Sequence, residues 1–170
     1  FGLVVGPIVT EPKPGGGWVK FPPVTWIRGH LGPWYRAGGA APLELWRRDW
    51  PAVGVHLGRS RLVCLDIDSP EGHPTKGLQP LEVQCAAVSA MIGAAAFERP
   101  ALLWRTASDG FCLAWYLPAG VEPPPGRNIT VPGLPHTIEL RSGEGLAVVP
   151  SGTPAPGLPA WQLILPPLPP

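Results

Sequence analysis

Two aspartates at the end of an apolar run are the first candidates for chemistry in this chain. Asp66 and Asp68 stand two positions apart within residues 61–68, whose other members are mostly apolar. In a β-strand, residues i and i+2 project from the same face, so both carboxylates would leave the sheet together. A buried carboxylate is costly unless it is paired or bound to a cation, and oxygen ligands suit a hard divalent ion. A metal site and a simple turn cap are both open interpretations of this spacing.

A third carboxylate, Glu139, lies between two apolar residues in the predicted strand 136–141. If this strand lies beside residues 61–68, Glu139 joins the two aspartates around one or two cations. Two-metal phosphoryl transfer uses such a set of acids. The alternative is a surface ion pair of Glu139 with Arg141 or Arg127.

The composition limits the class of protein. The 170 residues suit one domain with a sizeable core, and 45% hydrophobic against 15% charged residues exclude a disordered chain. The net charge of +1 gives no general electrostatic case for nucleic acid, so such binding needs a local basic cluster. The 26 prolines and 22 glycines indicate long, stiff loops between packed elements.

The cysteines and the apolar runs bear on the compartment. Cys64, Cys85 and Cys112 are widely spaced in apolar sequence, which is typical neither of a disulfide framework nor of a zinc site. We therefore expect a reducing, cytoplasmic environment. The sequence shows no signal peptide and no apolar run of membrane-spanning length, so no membrane partner is expected.

The elements that must position the acids are mostly strands, joined by turns rich in glycine. We expect an α+β fold in which a mixed or antiparallel central sheet has flanking helices. Residues 1–152 would form the folded domain that carries the acids. Residues 153–170 would form a Pro-rich tail or linker with one apolar piece at 161–165, which is either an edge strand or the start of a linker. The remaining expectations are strands over 2–9 and 18–21, a short helix over 42–48, one well-packed helix over 81–98, and three hairpins, 52–57 with 61–68, 101–106 with 111–117, and 136–141 with 146–150.

Three segments in this order resemble the motifs of the primase-polymerase domain of the archaeo-eukaryotic primase superfamily. Residues 52–68 resemble its first motif, a short strand, a Gly turn and an apolar strand that ends in Asp-x-Asp. Residues 104–115 resemble the second, a hairpin of the form Thr-x-Ser-Gly-Gly-x-His. Residues 137–151 resemble the third, an acidic strand, a Gly turn and a strand that ends near Pro-Ser. The likeness runs over roughly residues 18–152.

The resemblance implies a catalytic core with an RNA-recognition-like sheet. It implies that Asp66, Asp68 and Glu139 bind Mg²⁺ or Mn²⁺. It also implies that a nucleoside triphosphate lies over the second-motif hairpin, and that a single-stranded template follows a basic, aromatic groove. The residues expected to border the nucleotide are Arg105, Ser108, Gly110 and Cys112.

Two residues depart from the second motif. Cys112 stands where the motif has its histidine, and a thiol is a weak donor without positive charge. Asp109 stands where the motif usually has Gly, and it brings a negative charge towards the expected phosphates; Arg105, Arg59 or Arg61 would have to compensate. His136 is not expected to replace the imidazole, because its distance from Glu139 places it on the opposite face of the strand.

A basic cluster offers a second kind of contact. Arg47, Arg48, Arg59 and Arg61 are expected to track a nucleic-acid backbone, with Trp46, Trp50 and Trp104 either stacking on bases or packing in the core.

The sequence leaves three functions open. The first is metal-dependent nucleotidyl transfer in DNA replication, in which primers are made or extended from nucleoside triphosphates. The second is a catalytically degenerate binding module within a larger replication protein, with a helicase domain as a possible companion. The third is a glycosyltransferase in which Asp-x-Asp holds Mn²⁺, a reading that does not explain Glu139.

Overall fold

The structure is a computed structural model of the chain, and it describes residues 5–12, 18–21, 52–143, 145–150 and 162–165. The expected helix over 42–48 lies outside these ranges, and so do Arg47, Arg48, Trp46 and Trp50. The elements of the described residues are β1 (Val5–Pro12), β2 (Trp18–Phe21), β3 (Ala52–His56), β4 (Leu62–Ile67), α1 (Leu81–Ile92), α2 (Ala94–Phe97), β5 (Leu102–Arg105), β6 (Phe111–Tyr116), β7 (Arg127–Thr130), β8 (Thr137–Arg141), β9 (Leu146–Pro150) and β10 (Gln162–Leu165).

These strands form two sheets in which every described pairing is antiparallel. The larger sheet has the order β10-β5-β6-β4-β8-β7 and the smaller one the order β2-β1-β3-β9. The acidic strand β4 is central, with β6 on one side and β8 on the other. The predicted α+β class with a mainly antiparallel sheet is confirmed, whereas the RNA-recognition-like core stays a prediction.

Two of the three predicted hairpins are wrong, and the errors share one cause. β3 pairs with β9 in the small sheet, while β4 pairs with β8 in the large sheet. The chain therefore passes from the small sheet to the large sheet at the turn between β3 and β4. It passes back to the small sheet at the turn between β8 and β9. The two turns lie side by side, since the N–H of Gly58 donates to the carbonyl of Gly143 at 2.7 Å.

Glycine makes this double crossing possible. A Cβ at position 58 would stand only 2.5 Å from the carbonyl oxygen of Gly143, so a side chain there would force the turns apart. Gly143 itself has a φ of +58°, a conformation that glycine adopts without strain. Glycine turns are compatible with a hairpin and with a crossing, and the long-range pairing decided between them. The third predicted hairpin, β5 with β6, is confirmed.

The large sheet packs on both faces, and this divides its residues into two sets. Leu62 and Cys64 of β4 face the β3–β9 pair and join a buried cluster with Val55 and Val148. The alternate residues of β4 face α1 in a second cluster with Val88. Asp66 belongs to the first face because it follows Cys64 by two positions.

The predicted single helix over 81–98 is interrupted. Gly93 has φ 90° and ψ 137°, which is not helical, so α1 ends at Ile92 and α2 is a separate short helix. The prediction that this helix packs against the sheet over much of its surface is also wrong. Gln84 and Val88 are the buried residues of α1, and Met91 is exposed. α1 therefore covers the sheet along one narrow stripe.

The C-terminal apolar piece is an edge strand. Gln162 and Leu163 of β10 pair with Arg105 and Trp104 of β5. The domain boundary expected at residue 152 remains a prediction. No helix within the described ranges has the length and apolar character needed to cross a membrane.

Candidate active site

The sheet register brings Asp66 and Glu139 together. They are directly opposed partners on the neighbouring strands β4 and β8. Cys112 is the partner of Asp66 on the other side, and Asn128 is the partner of Glu139. Because directly opposed residues project from the same face, these four side chains form one row across the sheet.

Both carboxylate oxygens of Asp66 have protein partners. Nη2 of Arg141 lies 2.5 Å from Oδ2, and the thiol of Cys112 donates to Oδ1 at 3.1 Å. The same Nη2 donates to Oε2 of Glu139 at 2.9 Å. The guanidinium of Arg141 thus bridges the two facing acids, so the expected surface pair of Glu139 and Arg141 exists as part of a larger network.

Burial sets the electrostatics of this row. Asp66 is 8% exposed, and burial raises the pKa of its carboxyl, while Arg141 and the Cys112 thiol pull it down. Burial lowers the pKa of Arg141, but the charges of Asp66 and Glu139 outweigh it and the net shift is upward. Burial also raises the pKa of Cys112 well above its usual range, so this thiol stays protonated.

Asp68 lies just beyond the end of β4 and has different partners. Its Oδ1 is 3.1 Å from Nε2 of His73, and its Oδ2 is 2.5 Å from Nζ of Lys76. Its carbonyl accepts a hydrogen bond from Gln84 of α1 at 3.0 Å. Asp66, Asp68 and Glu139 all line one cavity of about 280 Å³.

The second-motif hairpin is packed against the end of the first motif. Oγ of Ser69 donates to the carbonyl of Ser108 at 2.6 Å. A Cβ at Gly110 would lie 2.3 Å from the carbonyl oxygen of Ile67. Ser108, Gly110 and the buried Cys112 therefore have packing roles in this structure, and their contact with a nucleotide stays a prediction.

Arg105 and Asp109 pair with each other at the tip of this hairpin. Nε of Arg105 is 3.1 Å from Oδ1 of Asp109. Since Trp104 and Cys112 share the face of Asp66, Arg105 projects from the opposite face. Asp109 has a φ of +61°, which explains why glycine suits this position. The structure therefore separates Arg105 from the three acids.

The remaining basic residues border a second, larger cleft. Arg59 and Arg61 line a cavity of about 1280 Å³ next to Glu139. Nη2 of Arg61 donates to the carbonyls of Pro118 and Val121, so this side chain holds the segment after β6 in place. Trp104 is 1% exposed and belongs to the core.

Sequence reasoning missed several residues at the acids. The sequence pattern predicts Arg141 only as a surface partner of Glu139, and it gives no signal for Lys76 or His73. His136 was expected on the far face, but it precedes β8, where strand alternation does not apply, and it borders the acid cavity. Its Nε2 lies 3.2 Å from Oε1 of Gln84. Arg141 follows Glu139 by two positions, so strand alternation places both on one face, whereas its pairing with Asp66 depends on the register of β4 against β8.

The residue types at this site fit a divalent cation, and their present partners are cations of the protein. Three carboxylates border one cavity, and hard divalent ions prefer oxygen ligands. Within the described ranges, no three His, Cys, Asp or Glu side chains stand together as a ready-made metal group. Asp66 and Glu139 hold Arg141 instead, and Asp68 holds Lys76. Metal binding therefore requires these side chains to exchange partners.

The motif order, the antiparallel sheet and the paired acids point to the class of nucleotide-polymerising domains. Residues 17–169 match the family described as bifunctional DNA primase/polymerase, N-terminal. The chain belongs to this family, since the match covers nearly its whole length. No match was found among curated proteins or among solved structures.

Proposed function

We propose that this chain carries out metal-dependent nucleotidyl transfer, in which nucleic-acid strands are made or extended from nucleoside triphosphates on a single-stranded template. The observation that carries the proposal is the direct opposition of Asp66 and Glu139 on adjacent strands, with Asp68 on the same cavity. Family membership supports nucleotidyl transfer of the primase/polymerase type. Neither the resemblance nor the family match supports a glycosyltransferase.

Asp66, Asp68 and Glu139 would hold Mg²⁺ or Mn²⁺. When bound, such an ion supplies charge neutralisation at the phosphates and activation of the attacking hydroxyl. The protein's own part is to hold the acids on a rigid sheet, with Asp66 buried beside a neutral thiol. Arg141 pairs with Asp66 and Glu139, and a cation at this position would stabilise negative charge that develops beside the acids.

A primer-synthesis assay with Mn²⁺ and single-stranded DNA tests this proposal. Asp66→Asn combined with Asp68→Asn removes two of the three charges with little change in shape, and we expect product to be lost. Glu82→Gln combined with Glu98→Gln is the matched control, because it removes two exposed carboxylates that line neither cavity. Undiminished product from the double variant would exclude the metal assignment.

A catalytically degenerate binding module is the second candidate, and two observations favour it. Cys112 is a buried thiol bound to Asp66 where the second motif has an imidazole. Arg141 lies between the two acids that would bind the metal. Calorimetry with a nucleoside triphosphate and Mn²⁺ separates the candidates: metal-dependent nucleotide binding that Asp66→Asn abolishes supports the enzyme. Nucleic-acid binding without it supports the module, acting beside a helicase domain or another replication protein.

A further inference from the structure

We propose that Cys112 is a positioning residue for the acidic site: its thiol holds one carboxylate oxygen of Asp66, so that the other oxygen is the one that meets the cation. Cys112 stands where the second motif has its histidine, and the resemblance implies a nucleotide contact there. The inference gives this residue a role towards the acid instead. It rests on the proposed function, since Asp66 would be a ligand of the same ion.

The thiol of Cys112 is out of reach of a nucleotide in either cavity. The residue is 3% exposed, and it lines neither the acid cavity nor the larger cleft. One row of directly opposed side chains crosses the sheet from the core to the acid cavity, in the order Trp104, Cys112, Asp66, Glu139 and Asn128. Cysteine suits the place between a buried tryptophan and a carboxylate, because it packs as a small apolar residue and still carries a donor.

The two oxygens of Asp66 have partners of different kinds. Oδ1 accepts a hydrogen bond from the Cys112 thiol at 3.1 Å, and the pairing of β4 with β6 fixes this donor. Oδ2 lies 2.5 Å from Nη2 of Arg141, a cation that also pairs with Glu139. A divalent ion competes directly with a cation of the protein, whereas a neutral donor on the other oxygen does not oppose it. We therefore expect Oδ2 to exchange Arg141 for the ion while Oδ1 keeps its thiol.

The chemistry of a thiol fits this role. Burial keeps the proton on Cys112, so the side chain is an uncharged, weak donor. An imidazolium in this place would bring a second positive charge to Asp66, whereas the thiol leaves the carboxylate its charge. Loss of a hydrogen-bond partner behind a metal ligand typically lowers metal affinity about 10–100-fold. Because a thiol is a weak donor, we expect a loss near the lower end of that range.

Calorimetric titration of the whole chain with Mn²⁺ tests the inference without any contribution from catalysis. Cys112→Val fills similar space without a donor, and we expect it to bind Mn²⁺ about tenfold more weakly. Cys64→Val is the matched control, because it makes the same replacement at a fully buried thiol of the same cluster, whose Sγ lies 3.6 Å from the carbonyl of Leu65. Equal Mn²⁺ affinities for the two valine variants would overturn the inference.

Cys112→Ser separates positioning from packing. Serine keeps a donor in a smaller volume, so a positioning role predicts Mn²⁺ affinity within about threefold of the unchanged protein. A packing role predicts the opposite order, because valine is closer to cysteine in size and apolar character. Denaturant titrations check that both variants are folded under the conditions of the calorimetry. Stronger Mn²⁺ binding by the valine variant than by the serine variant would overturn the inference.

The S–H stretching vibration provides a spectroscopic test. An infrared difference spectrum between the unchanged protein and Cys112→Ser isolates the band of this thiol, which a carboxylate acceptor shifts to lower frequency. We expect the shifted band to persist in protein saturated with Mn²⁺. Its disappearance would mean that Mn²⁺ binds the sulfur itself as a thiolate, and a return to the frequency of a free thiol would mean that Asp66 turns away. Either result would overturn the inference.

The two proposals can fail separately. Primer product together with equal Mn²⁺ affinity in Cys112→Val and the unchanged protein keeps nucleotidyl transfer and removes the positioning role. Weaker Mn²⁺ binding by Cys112→Val that serine restores, without any product from the unchanged protein, keeps the positioning role and removes nucleotidyl transfer.

Discussion

At the scale of single residues, the defining feature is a cation built into an acidic site. Arg141 contacts Asp66 and Glu139 with one nitrogen, and Asp66 is almost fully buried. Breaking a buried ion pair by removing one partner is much more costly than the net worth of the pair, because the other charge is left unpaired. Arg141 therefore stabilises the pair of facing acids in this structure.

Replacing Arg141 should destabilise the protein in a pH-dependent way. Arg141→Met keeps an apolar side chain and leaves Asp66 unpaired, so we expect a loss of about 3 kcal/mol in the free energy of unfolding at neutral pH. Chemical denaturation measures it. Arg99→Met, at an exposed position, is the control and should change little.

The sign of the pH effect follows from Asp66. Burial raises the pKa of Asp66 above its usual 3.8 in the folded protein. Between pH 3.8 and the raised pKa, the folded protein therefore binds more protons than the unfolded chain does. Its contribution to stability is therefore largest below the usual pKa and falls as pH rises through the folded pKa. Without Arg141 the pKa rises further, so the loss should be larger at about pH 8 than at about pH 5. A loss independent of pH would contradict this account of Asp66.

The thiols provide a second residue-scale prediction. Cys112 is buried and protonated, and the thiolate is the form that reacts. Cys64 is also fully buried, whereas Cys85 on α1 is half-buried. In native protein treated with iodoacetamide, mass spectrometry should find Cys85 modified first. Unfolded protein should show all three modified, and equal native rates for Cys112 and Cys85 would contradict the buried thiol.

At the scale of elements, a contact between turns adds to the pairing of β4 with β6 in joining the first two motifs. The hairpin tip at Ser108 is hydrogen-bonded by Ser69, and Gly72 approaches the same residue. These contacts join the end of the first motif to the second. The second motif therefore buttresses the aspartates from the side opposite Glu139.

A methyl group at Gly72 should disturb this contact. Its Cβ would stand 2.1 Å from the carbonyl oxygen of Ser108, so Gly72→Ala should lower the free energy of unfolding by about 2 kcal/mol through overpacking. Gly126→Ala is the matched control, since its nearest neighbour would be 3.4 Å away. Equal melting temperatures for both variants would show that the turn can move to accept the methyl group without loss of stability, which would contradict this prediction.

At the scale of the molecule, the acids lie where the two sheets part. The small sheet covers Leu62 and Cys64 but leaves the next residue on that face, Asp66, at its margin. The adjacent crossing turns form one wall of the cleft. Packing between the sheets therefore determines the shape of this cleft.

Leu57 should be a main determinant of that packing. It is 0% exposed at the start of the first crossing turn, and its N–H donates to the carbonyl of Gly145 at 3.0 Å. Leu57→Ala should cost about 3 kcal/mol in the free energy of unfolding, from lost burial and a residual cavity. Val83→Ala, at a side chain 44% exposed on α1, is the control. Equal effects of the two variants in denaturant titrations would contradict a shared core between the sheets.

The sequence by itself determined the acids, the alternation of each strand and the local turns. Strand alternation placed Asp66 on a buried strand, and the glycine turn at residues 107–110 predicted the β5–β6 hairpin correctly. The order of three motifs indicated the family. Such features depend on residues close in the chain, because side-chain periodicity and turn preferences are local properties of the sequence.

Only the tertiary structure decided which distant groups meet. It paired β3 with β9 and β4 with β8, ended α1 at Gly93, and inserted Arg141 between Asp66 and Glu139. These outcomes depend on burial shared between segments far apart in the chain, and a strand with one apolar face can satisfy that face against several partners. For that reason the carboxylates could be identified from the sequence. The packing of the two sheets determined that Arg141 pairs with them and that a cleft lies beside Glu139.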